Sequence, residues 1–276
     1  MSARTARTPS AVSSRAVYTL HVVGRCELGT HRESQEDGVG CFSGDGIAVV
    51  VDGMGGMRSG SIAPPVVIPV VRRAIVDAMD DLPELVFDET LEAIVRDALV
   101  AANRALFAAS QQVHLRGVGA TAVVAWRHGD RTVIGHIGDA RAWRLREGAL
   151  ERMTRDHSLA EEFGDTPEYA RYIEENPAFQ TIITRALVMA DACEPVVRAH
   201  PTRDDDVWIL ASDGLWRTVP DDDLARLANA RSLDEAVLDL VAACYPRDPN
   251  DNLSVVLMKG AHDPGTARPF VRIAPL

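Results

Sequence analysis

Several acidic residues of this sequence stand where an apolar segment meets a turn. Asp52 follows the apolar run at residues 48–51 and precedes Gly53, and Asp213 precedes Gly214 in the same way. A buried strand would hold such a side chain at a fixed point, and the glycine would let the backbone approach a ligand closely. Four further acids also stand beside apolar segments: Glu36, Asp37, Asp139 and Asp251.

A single acid at a turn has an ordinary structural explanation, because Asp-Gly is a common turn pair and Asp often caps a helix. Repetition of the pattern at several strand ends is harder to explain in that way. Carboxylates that converge repel one another, and the arrangement is tolerable only if a cation offsets their charge. Oxygen ligands without Cys or His favour Mg²⁺ or Mn²⁺ over zinc. The pattern therefore predicts a divalent-cation centre.

Other chemistries find less support in the sequence. There is no GxSxG motif for a serine nucleophile, and the glycine cluster at residues 53–56 lacks the Gly-Lys-Ser/Thr of a nucleotide-binding P-loop. The cysteines are far apart in the sequence and form no CxxC pair, which fits reduced cytosolic thiols better than a zinc or redox site; they are Cys26, Cys41, Cys193 and Cys244.

Apolar and β-branched runs predict the strands that must position the acids. These lie at residues 18–24, 46–51, 121–126, 132–137, 142–145, 150–153, Val207–Ala211 and 253–258. Helical periodicity predicts helices at residues 69–79, 89–111, 221–227 and 233–243. Pro64, Pro65 and Pro69 are expected to delay the first of these helices. Runs of strands interrupted by paired helices predict two sheets with helices outside, a layered sandwich of the α+β class.

Composition limits the class of partner. The 276 residues carry a formal net charge of -11, with 46% hydrophobic and 25% charged residues, which suits a globular domain and argues against nucleic-acid binding. The acidic total is also compatible with simple solubility. No apolar run approaches the roughly 18–20 residues that a membrane helix needs. We therefore expect neither nucleic acid nor a membrane as a partner.

The chain divides into one domain with two flanking segments. Residues 1–16 are rich in Ala, Ser, Thr and Arg and are expected to form a disordered tail rather than a targeting peptide. The domain is predicted at residues 17–260, followed by a C-terminal extension at 261–276. Within the domain, the polar segment at residues 161–180 contains Gly164, Pro167 and Pro177, and it is predicted to be a mobile flap with short helices.

Eight short motifs occur in a fixed order between residues 24 and 256. They are GTHRESQED (29–37), VDGMGG (51–56), GVGAT (117–121), GDARAW (138–143), TRDHS (154–158), TRAL (184–187), SDGLW (212–216) and DNLSV (251–255). This ordered set resembles the metal-dependent PPM, or PP2C-like, protein serine/threonine phosphatases in their compact bacterial form. The resemblance implies a central β-sandwich of two antiparallel sheets, flanked by helices on both outer faces in four layers, α-β-β-α.

The resemblance also implies a centre that holds two divalent cations, Mn²⁺ or Mg²⁺, in a cleft at one end of the sandwich. Asp52 would bridge both ions, and the backbone carbonyl of Gly53 would bind one of them. Asp213 and Asp251 would complete the coordination of the other ion.

Further roles follow from the same resemblance. Glu36 and Asp37 would act largely through bound waters, and Asp139 would help Asp213 to hold a third, weakly bound cation. Arg32 would bind the substrate phosphate through its planar guanidinium. Arg32, Asp52 and Asp213 are the expected catalytic residues.

The implied activity is hydrolysis of phosphoserine and phosphothreonine in proteins by direct attack of a metal-bridging hydroxide. The implied partners are phosphorylated proteins, substrates of a Ser/Thr kinase, and the enzyme is expected to be cytoplasmic and monomeric. Two alternatives remain open: a catalytically inactive phosphoprotein-binding or regulatory module of the same fold, and a hydrolase of small phosphate esters.

Some positions depart from the family pattern. Gln35, Ala120 and Ala140 replace residues that are commonly Asn, Thr and Ser, and none of these changes removes an expected ligand. Met54 stands where eukaryotic relatives carry a His that is proposed as the general acid. The group that protonates the leaving group is therefore unassigned. His136 and His157 are expected to be structural.

Overall fold

Two antiparallel sheets of five strands each form the centre of the protein. The computed structural model describes residues 12–13, 18–55, 59–83, 85–111, 117–176, 179, 181–188, 193–203, 205–230 and 232–262. The first sheet has the order β10-β7-β6-β4-β3, with β3 Asp37–Phe42, β4 Ile47–Met54, β6 Gly119–His128, β7 Arg131–Ile137 and β10 Val196–Pro201. The second has the order β2-β12-β11-β8-β9, with β2 Tyr18–Glu27, β8 Arg141–Arg146, β9 Ala149–Arg152, β11 Val207–Ala211 and β12 Leu253–His262.

Helices cover the outer face of each sheet. The helices are α1 Ala63–Met79, α2 Asp88–Ser110, α3 Leu159–Phe163, α4 Pro167–Glu175, α5 Asp213–Trp216, α6 Asp221–Ala228 and α7 Leu233–Cys244. The first sheet packs against α1 and α2, and the second packs against α5, α6 and α7. The predicted four-layer α-β-β-α arrangement is therefore confirmed.

Strand β4 shows why the run at residues 46–51 is apolar at every position. Its side chains alternate, so that Val49 and Val51 pack against the helices while Ala48 and Val50 face the second sheet. Both faces of the strand are buried, and both must therefore be apolar. The next residue on the face that looks toward the second sheet is Asp52, at the end of this run.

The first helix begins earlier than predicted. Helix α1 starts at Ala63 and not at residue 69, with Pro64 and Pro65 in its first turn and Pro69 inside it. The early prolines are tolerated because backbone N–H groups in a first turn have no helical partner. Pro69 lacks the N–H that would bond to the Pro65 carbonyl. The helix continues because burial of its apolar face outweighs this loss; that face carries Val67, Val71 and Ile75.

The other predicted elements are confirmed with small shifts in their ends. The prediction did not include the strands β3 and β10 or the four-residue helix α5. Strand β12 runs to His262, beyond the predicted domain end at residue 260. Every helix in the part of the chain that the structure describes is too short or too polar to span a lipid bilayer.

One short pairing lies within the predicted N-terminal tail. Strand β1, Val12–Ser13, pairs antiparallel with β5, Leu85–Val86. Residues 1–11 and 14–16 of that tail, and residues 263–276 of the predicted C-terminal extension, lie outside the described residues.

Pro69→Ala should raise the free energy of unfolding by about 1–3 kcal/mol, because the new N–H can bond to the Pro65 carbonyl in the helix interior. Pro65→Ala is the matched control, since its new N–H lies in the first turn and gains no helical partner. Both prolines are exposed, so neither substitution leaves a cavity. Urea denaturation compares the variants, and equal effects of the two would contradict the explanation.

Candidate metal centre

The first sheet contributes two aspartates from neighbouring strands. Asp37 on β3 and Asp52 on β4 are directly opposite partners in the antiparallel register. Side chains at such positions lie on the same face of a sheet, close to each other. Val50 on that face packs between the two sheets, so Asp37 and Asp52 lie at one end of the space between them.

The second sheet brings its acids to the same end through Ser212. This buried residue follows β11, and its hydroxyl donates a hydrogen bond to Asp37 Oδ2 at 2.7 Å. The same hydroxyl accepts one from the backbone N–H of Ser254 on β12 at 3.1 Å. Asp213 follows Ser212 directly, and Asp251 lies just before β12. One hydroxyl therefore ties the ends of two strands of the second sheet to an acid of the first.

Asn252 fixes the segment that carries Glu36. Its side-chain oxygen accepts a hydrogen bond from the Glu36 N–H at 2.9 Å, and its amide donates to the Ser34 carbonyl at 3.2 Å. The Glu36 carbonyl in turn accepts from the Gly53 N–H at 3.0 Å. A Cβ on Gly53 would lie 2.1 Å from the Gly60 carbonyl oxygen, so only glycine allows this approach. Glu36 and the Gly53 backbone are thereby held together beside Asp52.

Asp139 enters the centre from the end of β7. It follows Gly138, whose φ of +96° turns the chain into a conformation that favours glycine. The Trp216 indole donates to the Asp139 carbonyl at 3.0 Å. The Arg217 guanidinium donates through Nη2 to Asp139 Oδ2 at 3.1 Å and through Nε to Asp213 Oδ2 at 3.0 Å. Asp139 and Asp213 therefore share one guanidinium.

The pKa values show that the five aspartates act on one another. Burial is the main cause that raises the pKa of Asp37 to about 7; hydrogen bonds from Ser212 and Ser254 oppose the rise, and the charges of Asp213 and Asp251 add to it. The pKa of Asp139 rises to about 6 for the same reasons, burial first and Asp213 second. The pKa of Asp52 is well above its usual value, because of desolvation and then the charges of the other four. The centre thus holds more negative charge than the protein around it compensates.

Two arginines, Arg32 and Arg217, form ion pairs with three of these carboxylates. Arg32 donates to Asp251 Oδ2 at 2.5 Å and to the Asn250 carbonyl at 3.2 Å. Arg217 holds Asp139 and Asp213 as described. Among the described residues, no three Asp, Glu, His or Cys side chains already surround a common point as ligands of one ion.

The donor set nevertheless fits hard divalent cations. It consists of carboxylate and backbone oxygens whose mutual repulsion a cation would relieve, and such ligands suit Mg²⁺ or Mn²⁺. An adjoining cleft of about 520 Å³ would give a substrate access to the centre. Its lining includes Thr181, Asp213, Arg217, Arg247 and Asp251.

The structure brings together the acids that the sequence singled out. Asp37, Asp52, Asp139, Asp213 and Asp251 converge, Glu36 is held beside Gly53, and Arg32 lies at the rim. Sequence reasoning assigned no role to the residues that position them, which are Ser212, Trp216, Arg217 and Asn252. The spacing of Trp216 and Arg217 after Asp213, three and four residues, is the signal that a predicted helix there would have revealed.

The two histidines have contacts that suit the structural role predicted for them. Their rings stack with centroids 4.8 Å apart. His157 Nδ1 accepts a hydrogen bond from the Gly138 N–H at 3.1 Å, and His136 Nε2 lies 2.8 Å from the Arg155 carbonyl. They support the turn that carries Asp139.

Comparison with known proteins shows the family of this chain. Residues 34–258 match the family described as protein phosphatase 2C, so the chain belongs to that family. The serine/threonine phosphatase stp of Listeria welshimeri is 29% identical over 245 residues, which cover 87% of this chain and 96% of that protein.

Solved structures of serine/threonine phosphatases have a similar fold. The serine/threonine phosphatase PstP of Mycobacterium tuberculosis superposes with a TM-score of 0.75 at 28% identity, over 89% of this chain and all of that one. A structure of the PstP catalytic domain with two manganese ions has a TM-score of 0.74 at 27% identity, with the same coverage.

Asp37→Asn should stabilise the metal-free protein at pH 8. The pKa of Asp37 is about 7 in the fold against 3.8 ordinarily, so its charged form is disfavoured and wild-type stability falls as the pH rises between those values. Asn does not titrate, so its advantage should be absent below pH 4 and reach on the order of 3 kcal/mol above pH 7. Denaturation in chelator across this range measures the difference, and an advantage that did not grow with pH would contradict the expectation.

Proposed function

We propose that this chain is a metal-dependent phosphatase that hydrolyses phosphoserine and phosphothreonine in proteins. The observation that carries the proposal is the convergence of five aspartates from both sheets beside a cleft, where burial and mutual repulsion raise the pKa values of Asp37, Asp52, Asp139 and Asp213. Membership of the protein phosphatase 2C family supports the same chemistry.

Asp52 would hold the divalent cations, because burial and the charges of the other four aspartates disfavour its own charge and a cation would relieve that repulsion. The Gly53 carbonyl would hold one ion, and Asp213 and Asp251 the other. When bound, the ions supply an activated water for attack on phosphorus and positive charge for the phosphate oxygens.

Glu36 and Asp37 are assigned to hold waters around the ions. The Asn252 contacts fix the backbone of Glu36, and the Ser212 hydroxyl fixes one carboxylate oxygen of Asp37. An acid whose position is fixed in this way can orient a water without moving itself.

Arg32 is assigned to the substrate phosphate. Its side chain is 42% exposed at the rim of the centre, and it is paired with Asp251. A guanidinium binds phosphate through two parallel N–H donors, so it can exchange its carboxylate partner for a phosphate of similar geometry. In that role Arg32 acts with Asp52 and Asp213 as a catalytic residue.

The inactive-module alternative is disfavoured because all the acids that the activity needs are present and converge.

We also propose that the enzyme is cytoplasmic and acts as a monomer on proteins that a Ser/Thr kinase has phosphorylated. The free state of all four cysteines supports a reducing compartment. Light scattering of the purified protein tests the monomer, and phosphoproteomics of a deletion strain tests the substrates.

Hydrolysis of a phosphothreonine peptide should require Mn²⁺ or Mg²⁺ and stop in chelator. Asp52→Asn should lower turnover by about a hundredfold or more and reduce the stabilisation by Mn²⁺ in a thermal shift assay, because an anionic ligand is lost. The matched control is Asp206→Asn. Asp206 is a buried aspartate that precedes β11, at the opposite end of that strand from Asp213, and it pairs with Arg146.

The control variant should keep both turnover and the Mn²⁺ response, whatever it loses in stability. Full activity of chelator-treated protein would refute the proposal. Activity on small phosphate esters with none on phosphopeptides would favour the small-ester alternative.

The flap, residues 161–180, ends beside Thr181, which lines this cleft, and it contributes little to the core. Helix α3 has no buried residue, and the aromatic side chains of Phe163, Tyr169 and Tyr172 are exposed. The ends of the flap are adjacent, because Ser158 pairs with Ile183 and the Leu159 N–H bonds to the Ile182 carbonyl. We propose that the flap selects protein substrates and leaves the chemistry unchanged.

Replacement of residues 161–180 by a short Gly/Ser linker should therefore spare hydrolysis of a small phosphate ester and change the rates on phosphoproteins. A companion variant that changes Phe163, Tyr169 and Tyr172 to Ala keeps the flap backbone and tests the aromatic surface alone. Loss of small-ester hydrolysis in the linker variant would mean that the flap supports the metal centre. Unchanged rates on every substrate would remove its proposed role.

A further inference from the structure

Helix α5 carries both an acid of the centre and a cation. Asp213 is its first residue, and Arg217 follows four positions later, one helical turn away on the same face. Arg217 Nε donates to Asp213 Oδ2 at 3.0 Å. Its Nη2 donates to Oδ2 of the buried Asp139 at 3.1 Å. The guanidinium thus lies between two carboxylates from different sheets.

The surroundings hold this guanidinium in place. Its central carbon lies 4.4 Å from the centroid of the Trp216 ring, within the range of a cation–π contact. The Trp216 indole donates to the Asp139 carbonyl, and Arg141 lies 3.2 Å from the same ring centroid. Arg141 is itself fixed by a two-pronged contact with Asp156. The Arg217 side chain is 31% exposed, so the cation is supported by the protein on most of its surface.

We propose that Arg217 is a positioning residue that occupies the place between Asp139 and Asp213 where a third, weakly bound cation was expected. The inference rests on the proposed two-ion centre and goes beyond it. This chain binds two divalent ions and supplies the third positive group itself. A guanidinium remains charged at every physiological pH, so this part of the charge balance does not depend on metal concentration.

The geometry leaves Asp213 able to serve both roles. Arg217 engages its Oδ2, and the other carboxylate oxygen is left for an ion of the pair. A carboxylate has about four lone-pair sites, so one hydrogen bond does not exhaust it. Asp139 in this arrangement orients Arg217 and needs no ion of its own.

The test compares Arg217→Gln with Arg247→Gln. Arg247 lines the same cleft, but it pairs with Asp223 and not with an acid of the centre. Both substitutions remove one positive charge from the cleft, so the control separates local pairing from the general field. A Mn²⁺ titration, in which the electron paramagnetic resonance signal reports the free ion, gives the number of bound ions and the affinity of each. Thermal denaturation in chelator reports the metal-free protein.

Wild type and Arg247→Gln should bind two ions. Arg217→Gln should bind a third ion, because Asp139 and Asp213 lose the cation between them. Its affinity for that third Mn²⁺ should exceed that of wild type by at least about tenfold. In chelator, Arg217→Gln should melt below Arg247→Gln, and Mn²⁺ should restore more of its stability. Arg217→Lys keeps the charge and should recover part of the metal-free stability.

Other outcomes overturn the inference in distinguishable ways. If wild type binds two ions and Arg217→Gln gains no affinity for a third, Arg217 does not take that place, and the two-ion centre stands. If Arg217→Gln raises KM for a phosphopeptide without changing Mn²⁺ binding, the residue contacts substrate instead. If wild type binds no Mn²⁺ at all, both the proposed function and this inference fail.

Discussion

Repulsion among carboxylates is the constraint on which the rest of this structure depends. Asp37 and Asp52 lie opposite each other on neighbouring strands, and Asp139, Asp213 and Asp251 converge on them from other strand ends. Burial makes each charge more costly, since a buried carboxylate loses the water that would stabilise its charge. Such a cluster persists only in a fold stable enough to hold it. The two sheets and their helices provide that stability through three separate apolar layers.

The protein manages the excess charge by hydrogen bonds as well as by cations. Ser212 gives Asp37 a donor from the opposite sheet, and Asn252 holds the backbone beside Asp52. Arg32 and Arg217 engage Asp251, Asp139 and Asp213. The two arginines differ in their surroundings, since Arg32 is the more exposed and Arg217 stacks on Trp216. This difference fits an exchangeable partner at the rim and a fixed one inside.

The acids themselves could be found in the sequence because each stands beside an apolar strand, where a local pattern is visible. The strands β3 and β10 were missed because β3 contains two glycines and β10 alternates polar residues at a sheet edge, which weakens the strand signal. Helix α5, with four residues, is too short to show a periodicity. The roles of Trp216 and Arg217 depend on that helix, and so they were missed with it.

Contacts across the sandwich have no local signal at all. The hydroxyl of Ser212 meets Asp37 from a position 175 residues away in the chain. Nothing near either residue in the sequence specifies that meeting, which arises only when one sheet stacks on the other. The order of the motifs along the chain could identify the family, because it reflects the whole fold. It could not show which groups hold the acids in position.

The adjacent ends of the flap give the protein a form of modularity. Ser158 and Ile183 pair across its base, so the intervening chain leaves the sandwich and returns at nearly the same point. Lengthening such an excursion costs little, since each doubling of a loop adds only about 0.6 kcal/mol of closure entropy. Under its proposed role, evolution can exchange this one contiguous stretch to recruit new targets while the aspartates stay unaltered. Recognition and hydrolysis would then diversify at independent rates within one small domain.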